Sequence, residues 1–153
     1  MAKRNWAAGN VVQIPLENGG CGYGVVVREP LVALFNFQSE VEPPLESIMT
    51  KPIAFKVWVH RPAIGKKGWK VIGNVSLPRD LLAEPAFYRF DVISKRFSIY
   101  HAGKERPATK EECLPLECAA VWEKEHVESR LNDFFAGRKN KWVDSLSASN
   151  RAT

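Results

Sequence analysis

The chain has 153 residues, a length typical of one domain that needs neither disulfides nor a metal to hold its core. Its composition, 45% hydrophobic and 25% charged, is that of an ordinary globular protein, and its longest apolar stretches are strand-sized, which excludes a membrane-spanning helix. The net charge of +5 is dispersed along the chain, so it suits a solvated surface, and it also leaves open a phosphate backbone or an acidic partner.

The N-terminus and the cysteines indicate the compartment. Lys3 and Arg4 are not followed by an apolar run, so we predict no secretory signal and expect a cytoplasmic protein. Cys21, Cys113 and Cys118 are odd in number and unevenly spaced, which favours reduced thiols over a disulfide framework.

The first hundred residues are predicted to be mostly β-structure. Gly19 and Gly20 supply a turn between the first two strands, and the continuous apolar run 31–37 favours a central strand that is covered on both faces. Ser94 and Lys95 are predicted to connect the last two strands of this part. The strands themselves are expected near 11–16, 23–27, 31–37, 53–60, 69–75, 87–92 and 97–100.

After Gly103 the sequence pattern changes from one typical of strands to one typical of helices. Thr109 followed by Glu112 matches a capping box. A second, long helix is predicted from about Pro115 to Ala136, where Gly137 is placed to end it in a left-handed conformation. Residues at helical spacing form its apolar stripe: Leu116, Ala120, Val127, Leu131 and Phe134.

Together these elements predict an α+β protein. We expect a mainly antiparallel, strongly twisted β-sheet or partial barrel with one long C-terminal helix packed on it. Residues 1–146 are expected to form a single domain. Residues 147–153 are small and polar, so we expect them to form a disordered tail.

The candidate catalytic and metal-binding patterns all have a better structural interpretation. Cys113, Cys118 and His126 can be drawn as a metal site, but a Cys-x4-Cys spacing does not match the tight hairpin of structural zinc sites. The glycines of segment 19–24 lead into a strand, whereas a phosphate-binding loop would open a helix. We therefore predict no catalytic residue, no metal and no cofactor.

Aromatic and basic residues on the predicted strands leave a nucleic-acid platform open. Stacking surfaces for bases combine aromatic side chains with positive charge, although strands favour aromatic residues in any case. The residues concerned are Trp58, Trp69, Tyr88 and Tyr100, with Lys56, Lys70, Arg89 and Arg96.

Three parts of the sequence, in this order, resemble a known family. Segments 9–16 (GNVVQIPL) and 22–26 (GYGVV) form the first, with Asn10 where the family is expected to have Asp. The others are 52–57 (PIAFKV) with 69–73 (WKVIG), and 116–122 (LECAAVW) with 126–131 (HVESRL). Over residues 6–142 the chain resembles immunity protein family 26 of bacterial polymorphic toxin systems.

The resemblance implies a protein that binds and neutralises a cognate toxin and is not an enzyme. The alternative is a nucleic-acid-binding or ribonuclease small barrel of the MazF and PemK type, which the opening strand and the positive charge support. A structural or homo-oligomeric domain is a third interpretation, and the sequence leaves the oligomeric state open.

Three residues are candidate partner contacts. His126 and Arg130 share one face of the predicted helix, away from its apolar stripe, at a separation of four residues. Glu117 is placed near the start of that helix, where its charge suits the helix dipole. The alternative for all three is hydrogen bonding between the helix and the sheet.

Overall fold

The structure is a computed structural model that describes residues 2–151. The strands are β1 (Asn10–Pro15), β2 (Cys21–Arg28), β3 (Leu31–Ser39), β4 (Ile53–Val59), β5 (Lys70–Asn74), β6 (Phe87–Asp91), β7 (Arg96–His101), β8 (Lys104–Ala108), β9 (Glu117–Cys118) and β10 (Val121–Trp122). The helices are α1 (Ala2–Asn5), α2 (Leu45–Met49), α3 (Arg79–Leu82), α4 (Lys110–Cys113), α5 (Lys124–Ala136) and α6 (Lys141–Leu146), with 3-10 turns at Arg61–Ala63 and Ala148–Asn150.

The five strands before α3, together with β10, form a first sheet of six strands in the order β10-β4-β3-β2-β1-β5. Neighbouring strands run antiparallel, except that β10 lies parallel to β4. As the apolar run predicted, β3 is central, and its first five residues are buried. The sheet therefore presents apolar side chains on both of its faces.

Different elements cover these two faces. On one face, Val26 and Leu34 pack in a first core with Val127 and Leu131 of α5. On the other face, alternate residues of the same strands form a second core with α2, α3 and Phe87 of β6. The first sheet is thus a layer between the C-terminal helices and the second sheet.

The second sheet has four strands in the order β8-β7-β6-β9 and supports a third, smaller core. Tyr88, Phe97 and Ile99 of its central strands are buried with Cys113 of α4 and with Ala148. The alternate residues on these strands face the first sheet or solvent.

The predicted α+β class, the mainly antiparallel strands and the long C-terminal helix are confirmed. The expected single sheet is instead two sheets, and within residues 2–151 neither closes into a barrel.

The long helix begins later than predicted. It starts at Lys124 rather than near Pro115, because the chain first pairs as β9 with β6 and as β10 with β4. These two-residue pairings draw their hydrogen bonds from distant strands, so helical spacing in the sequence does not reveal them. Two predicted helix ends are confirmed. Thr109 and Glu112 form a capping box at the start of α4, and Gly137, with φ of 70°, ends α5.

The segment after Leu146 packs on the second sheet as far as Arg151, where the sequence predicted a disordered tail. Ala148 is 1% exposed in the third core. The Tyr88 hydroxyl donates a hydrogen bond to the carbonyl of Leu146, and Arg151 donates one to that hydroxyl at 3.3 Å. Small side chains allow this close approach. The last two residues of the expected tail, 152 and 153, lie outside the described residues.

Candidate partner-binding surface

Two of the three predicted contact residues meet at a junction of the molecule. Arg130 of α5 donates two hydrogen bonds to the Glu117 carboxylate of β9, at 3.0 and 2.6 Å. Its guanidinium carbon lies 3.7 Å from the ring centroid of Phe55 in β4 and 5.0 Å from that of Trp122 in β10. Arg130 therefore links the long helix to both sheets through a two-pronged ion pair and stacked rings.

The position of Glu117 corrects the sequence interpretation. It lies in β9, seven residues before α5 begins, so its charge does not act on the dipole of that helix. Its carboxylate instead pairs with a guanidinium whose side chain is only 12% exposed. This contact is the helix-to-sheet hydrogen bonding that the sequence left as the alternative.

His126 lies one turn before Arg130 and has a different neighbour. Its ring stacks on Trp142 of α6, with centroids 3.8 Å apart and planes 29° apart. Lys141 places its ammonium 4.8 Å from the same indole ring. His126 is half-buried, so one face of the ring is used inside the protein.

The four aromatic residues of the predicted nucleic-acid platform do not share a surface. Trp69 and Tyr88 are fully buried, and Trp69 belongs to the first core while Tyr88 belongs to the third. Trp58 and Tyr100 do meet, with ring centroids 5.7 Å apart. A row of stacked bases would need all of the rings on one accessible face.

Trp58 and Tyr100 line a groove between the two sheets, with a volume of about 710 Å³. Phe87 packs against the indole at 4.5 Å between centroids. At the rim, Arg28 pairs with Glu84 at 3.3 Å, which ties the first sheet to the segment after α3. The charges of Arg28 and Glu84 at the rim of this groove are therefore already paired within the protein.

A second groove, of about 650 Å³, lies on the second sheet and carries more positive charge. Arg89, Arg96 and Arg106 line it. Ser98 donates a hydrogen bond to Glu105 at 2.5 Å, and Arg89 lies 4.0 Å from the same carboxylate. Sequence reasoning singled out Arg89 and Arg96 but missed Arg106, whose guanidinium donates a hydrogen bond to Glu112 of α4 at 3.1 Å.

The thiols have the character of structural residues. Burial raises the pKa of the Cys21 thiol and of the Cys113 thiol, so both are held as neutral thiols. Among the side chains that the structure describes, no three or more His, Cys, Asp or Glu residues are grouped as a metal would require.

No helix in the described part of the chain is long and apolar enough to cross a membrane.

Comparison with family models decides the classification. The model described as immunity protein 26 matches residues 7–99, which is more than half of the chain. The chain belongs to the immunity protein 26 family. A search of curated proteins and a search of solved structures return no match.

The immunity protein 26 match covers the first sheet except β10, together with β6 and most of β7. The predicted contacts Glu117, His126 and Arg130 lie after the matched segment, whereas Arg89 and Arg96 lie inside it. The second groove is therefore built partly from residues that the family model covers.

Proposed function

We propose that this protein binds a cognate bacterial polymorphic toxin in the cytoplasm and neutralises it by forming a complex. The observation that carries the proposal is membership of the immunity protein 26 family over residues 7–99. Neutralisation by binding requires a surface that occupies or distorts the toxin, and it requires no bond to be made or broken by the immunity protein.

Two structural features support an action by binding. The two grooves that residues of the second sheet line contain Arg, Trp and Tyr residues, the side chains that most often anchor protein interfaces. Phe87 and Phe97, which line these grooves, also belong to the buried cores, so the backbone that carries the groove side chains is part of the packed fold.

Co-expression tests the proposal directly. The product of the gene immediately upstream, where a cognate toxin is expected, is induced in bacteria with or without the wild-type chain, and we expect growth only when the chain is present. The control is Val57→Asp, which places a charge at a fully buried position and should abolish both folding and protection. Full lethality in the presence of folded wild-type protein would contradict the proposal.

Stoichiometry separates binding from catalysis. With purified components, we expect toxin activity to fall linearly with added protein until equimolar addition, because each toxin molecule is held in a complex. Complete inactivation by a small fraction of an equivalent would instead indicate turnover and an enzyme.

Glu117, His126 and Arg130 stay predicted contacts. Their alanine variants are measured for stability and for toxin affinity. A variant that binds less tightly while keeping the wild-type melting temperature identifies a contact residue. A variant that melts early but binds normally when folded identifies a structural one.

A further inference from the structure

The turn between β6 and β7 is closed by its own hydrogen bonds. The Asp91 side chain accepts hydrogen bonds from the backbone N–H groups of Ile93 and Ser94, at 2.9 and 3.3 Å. The N–H of Lys95 donates to the carbonyl of Asp91 at 2.7 Å, and Lys95 has φ of 61°. These bonds lower the pKa of the Asp91 carboxyl, so the turn keeps its charged acceptor at neutral pH.

This closed turn presents two apolar side chains to solvent. Ile93 is 90% exposed, the largest value among the exposed apolar residues of the described chain, and the adjacent Val92 is 62% exposed. A single exposed apolar residue is common on protein surfaces. Here two of them stand at the end of a hydrogen-bonded hairpin, so burying them in a partner costs little conformational entropy.

The strands that carry this apolar tip hold much of the positive charge of the protein. Segment 89–106 has five basic residues and two acidic ones, a net +3 within a chain of net charge +5. Arg96 is exposed and lines the second groove, which reaches the base of the turn at Asp91 and Ser94. Most of the charge surplus of the protein is thus concentrated in β6, β7, β8 and their turns.

We propose that this hairpin surface, made of Val92 and Ile93 with Arg89 and Arg96, docks onto an acidic surface of the toxin. Ile93 enters an apolar pocket of the toxin, and the arginines contact carboxylates around that pocket. The proposal rests on the proposed function and names the surface and the partner chemistry for it.

The chemistry of the surface favours an acidic protein over a nucleic acid. The exposed tip is aliphatic, and bases stack on aromatic rings rather than on an isoleucine. Asp91 and Glu105 stand among the arginines and would repel a phosphate backbone, whereas a protein surface can place carboxylates selectively.

The test measures the affinity of four variants for the purified product of the gene immediately upstream, where the cognate toxin is expected. For Ile93→Ser we expect affinity to fall about tenfold or more, because an anchor of this size loses its buried apolar area. For Arg96→Glu we expect slower association, with a defect that shrinks as salt rises. The matched controls are Val41→Ser, which is 79% exposed on another loop, and Lys67→Glu on the turn before β5, and both should bind like wild type.

The outcomes separate this proposal from the proposed function. Unchanged binding by both Ile93→Ser and Arg96→Glu would overturn the docking surface and leave toxin binding intact. A wild-type chain that forms no complex would overturn the proposed function itself. Binding of a single-stranded oligoribonucleotide that Arg96→Glu abolishes and Ile93→Ser leaves unchanged would assign the charged face to nucleic acid and overturn the proposal. Melting curves confirm folding, and Val92→Ser replaces any variant that fails to fold.

Discussion

At the scale of single residues, Arg130 shows how one side chain connects three parts of the fold. A guanidinium can form two parallel hydrogen bonds with a carboxylate and still offer its flat faces to aromatic rings. Arg130 does both, toward Glu117 on one side and toward Phe55 and Trp122 on another. Its role therefore depends on shape as well as on charge.

We expect Arg130→Ala to lower the free energy of unfolding by about 2 kcal/mol. Removing one partner of a buried pair costs about 3–5 kcal/mol, and the partial exposure of Glu117 reduces that cost. Arg130→Lys keeps the charge but loses the two-pronged geometry, so an intermediate loss is expected. Urea unfolding measures both.

The control for Arg130 is Lys67→Ala, an exposed charge deletion that should stay within about 0.5 kcal/mol of wild type. If Arg130→Ala and Arg130→Lys unfolded at the wild-type urea concentration, the linking role assigned to Arg130 would be wrong.

Comparing alanine substitutions at two glycines distinguishes the cost of backbone strain from the cost of steric crowding. Gly9 and Gly19 both have φ of 89°, and a Cβ on Gly9 would lie 2.1 Å from the carbonyl oxygen of Val75, while one on Gly19 would meet nothing within 4 Å. We expect Gly19→Ala to cost about 1 kcal/mol from the left-handed backbone alone. Gly9→Ala should cost about 3 kcal/mol because β1 and β5 must also move apart. Equal losses in thermal unfolding would contradict this explanation.

At the scale of elements, the start of α4 and the end of α5 were predictable from the sequence, but the start of α5 was not. A capping box lies within four consecutive residues, so Thr109 and Glu112 identified the start of α4 from the sequence alone. Leu116 and Ala120 fitted the periodicity of a helix, yet their segment pairs with distant strands. Local periodicity carries no information about a strand whose partners lie far along the chain.

The capping box makes the stability of α4 depend on pH. The Glu112 carboxylate accepts hydrogen bonds from the N–H of Thr109 and from Arg106, which lowers its pKa below the ordinary 4.5. A carboxyl with a lower pKa in the folded state stabilises the fold above the unfolded value, and that contribution is lost as pH falls through the folded value. We expect wild type to melt above Glu112→Gln at neutral pH and the gap to close below about pH 4.5.

Thermal melting from pH 7 to pH 3 measures this gap. Glu111→Gln is the control, because Glu111 is exposed in the same turn and lies outside the capping box. A gap for Glu112→Gln that stays constant over the whole range would show that the charge of its carboxylate adds nothing to the cap.

At the scale of the whole molecule, the family-matched segment depends on the residues that follow it. Trp122, Val127 and Leu131 are 4%, 0% and 0% exposed in the first core, and all three lie after residue 99. Each fully buried apolar side chain contributes about 1.5–3 kcal/mol, and an ordinary domain has only about 5–15 kcal/mol in total.

We therefore expect a fragment of residues 1–99 to show no cooperative unfolding transition. Circular dichroism melting of the fragment, compared with the full chain, measures this. A sharp transition in the fragment would mean that the matched segment is an independent folding unit and that the C-terminal helices are an addition to it.

The sequence alone determined the features that adjacent residues encode. Alternating and continuous apolar runs identified seven strands, and capping residues identified helix ends. The motifs in segments 9–26 and 52–73, which the family model covers, pointed to the immunity protein 26 family, because the side chains that define each of them are close along the chain. The third part of the resemblance, in segment 116–131, lies outside the matched residues.

Only the tertiary structure decided how distant segments meet. It divided the strands into two sheets, moved Glu117 from a helix start to a strand beside Arg130, and buried Ala148 in a core. It also brought Arg89 of β6 to within 4.0 Å of Glu105 in β8. The physical reason is that these contacts join residues far apart in sequence, and their energies come from packing and pairing that no local pattern contains.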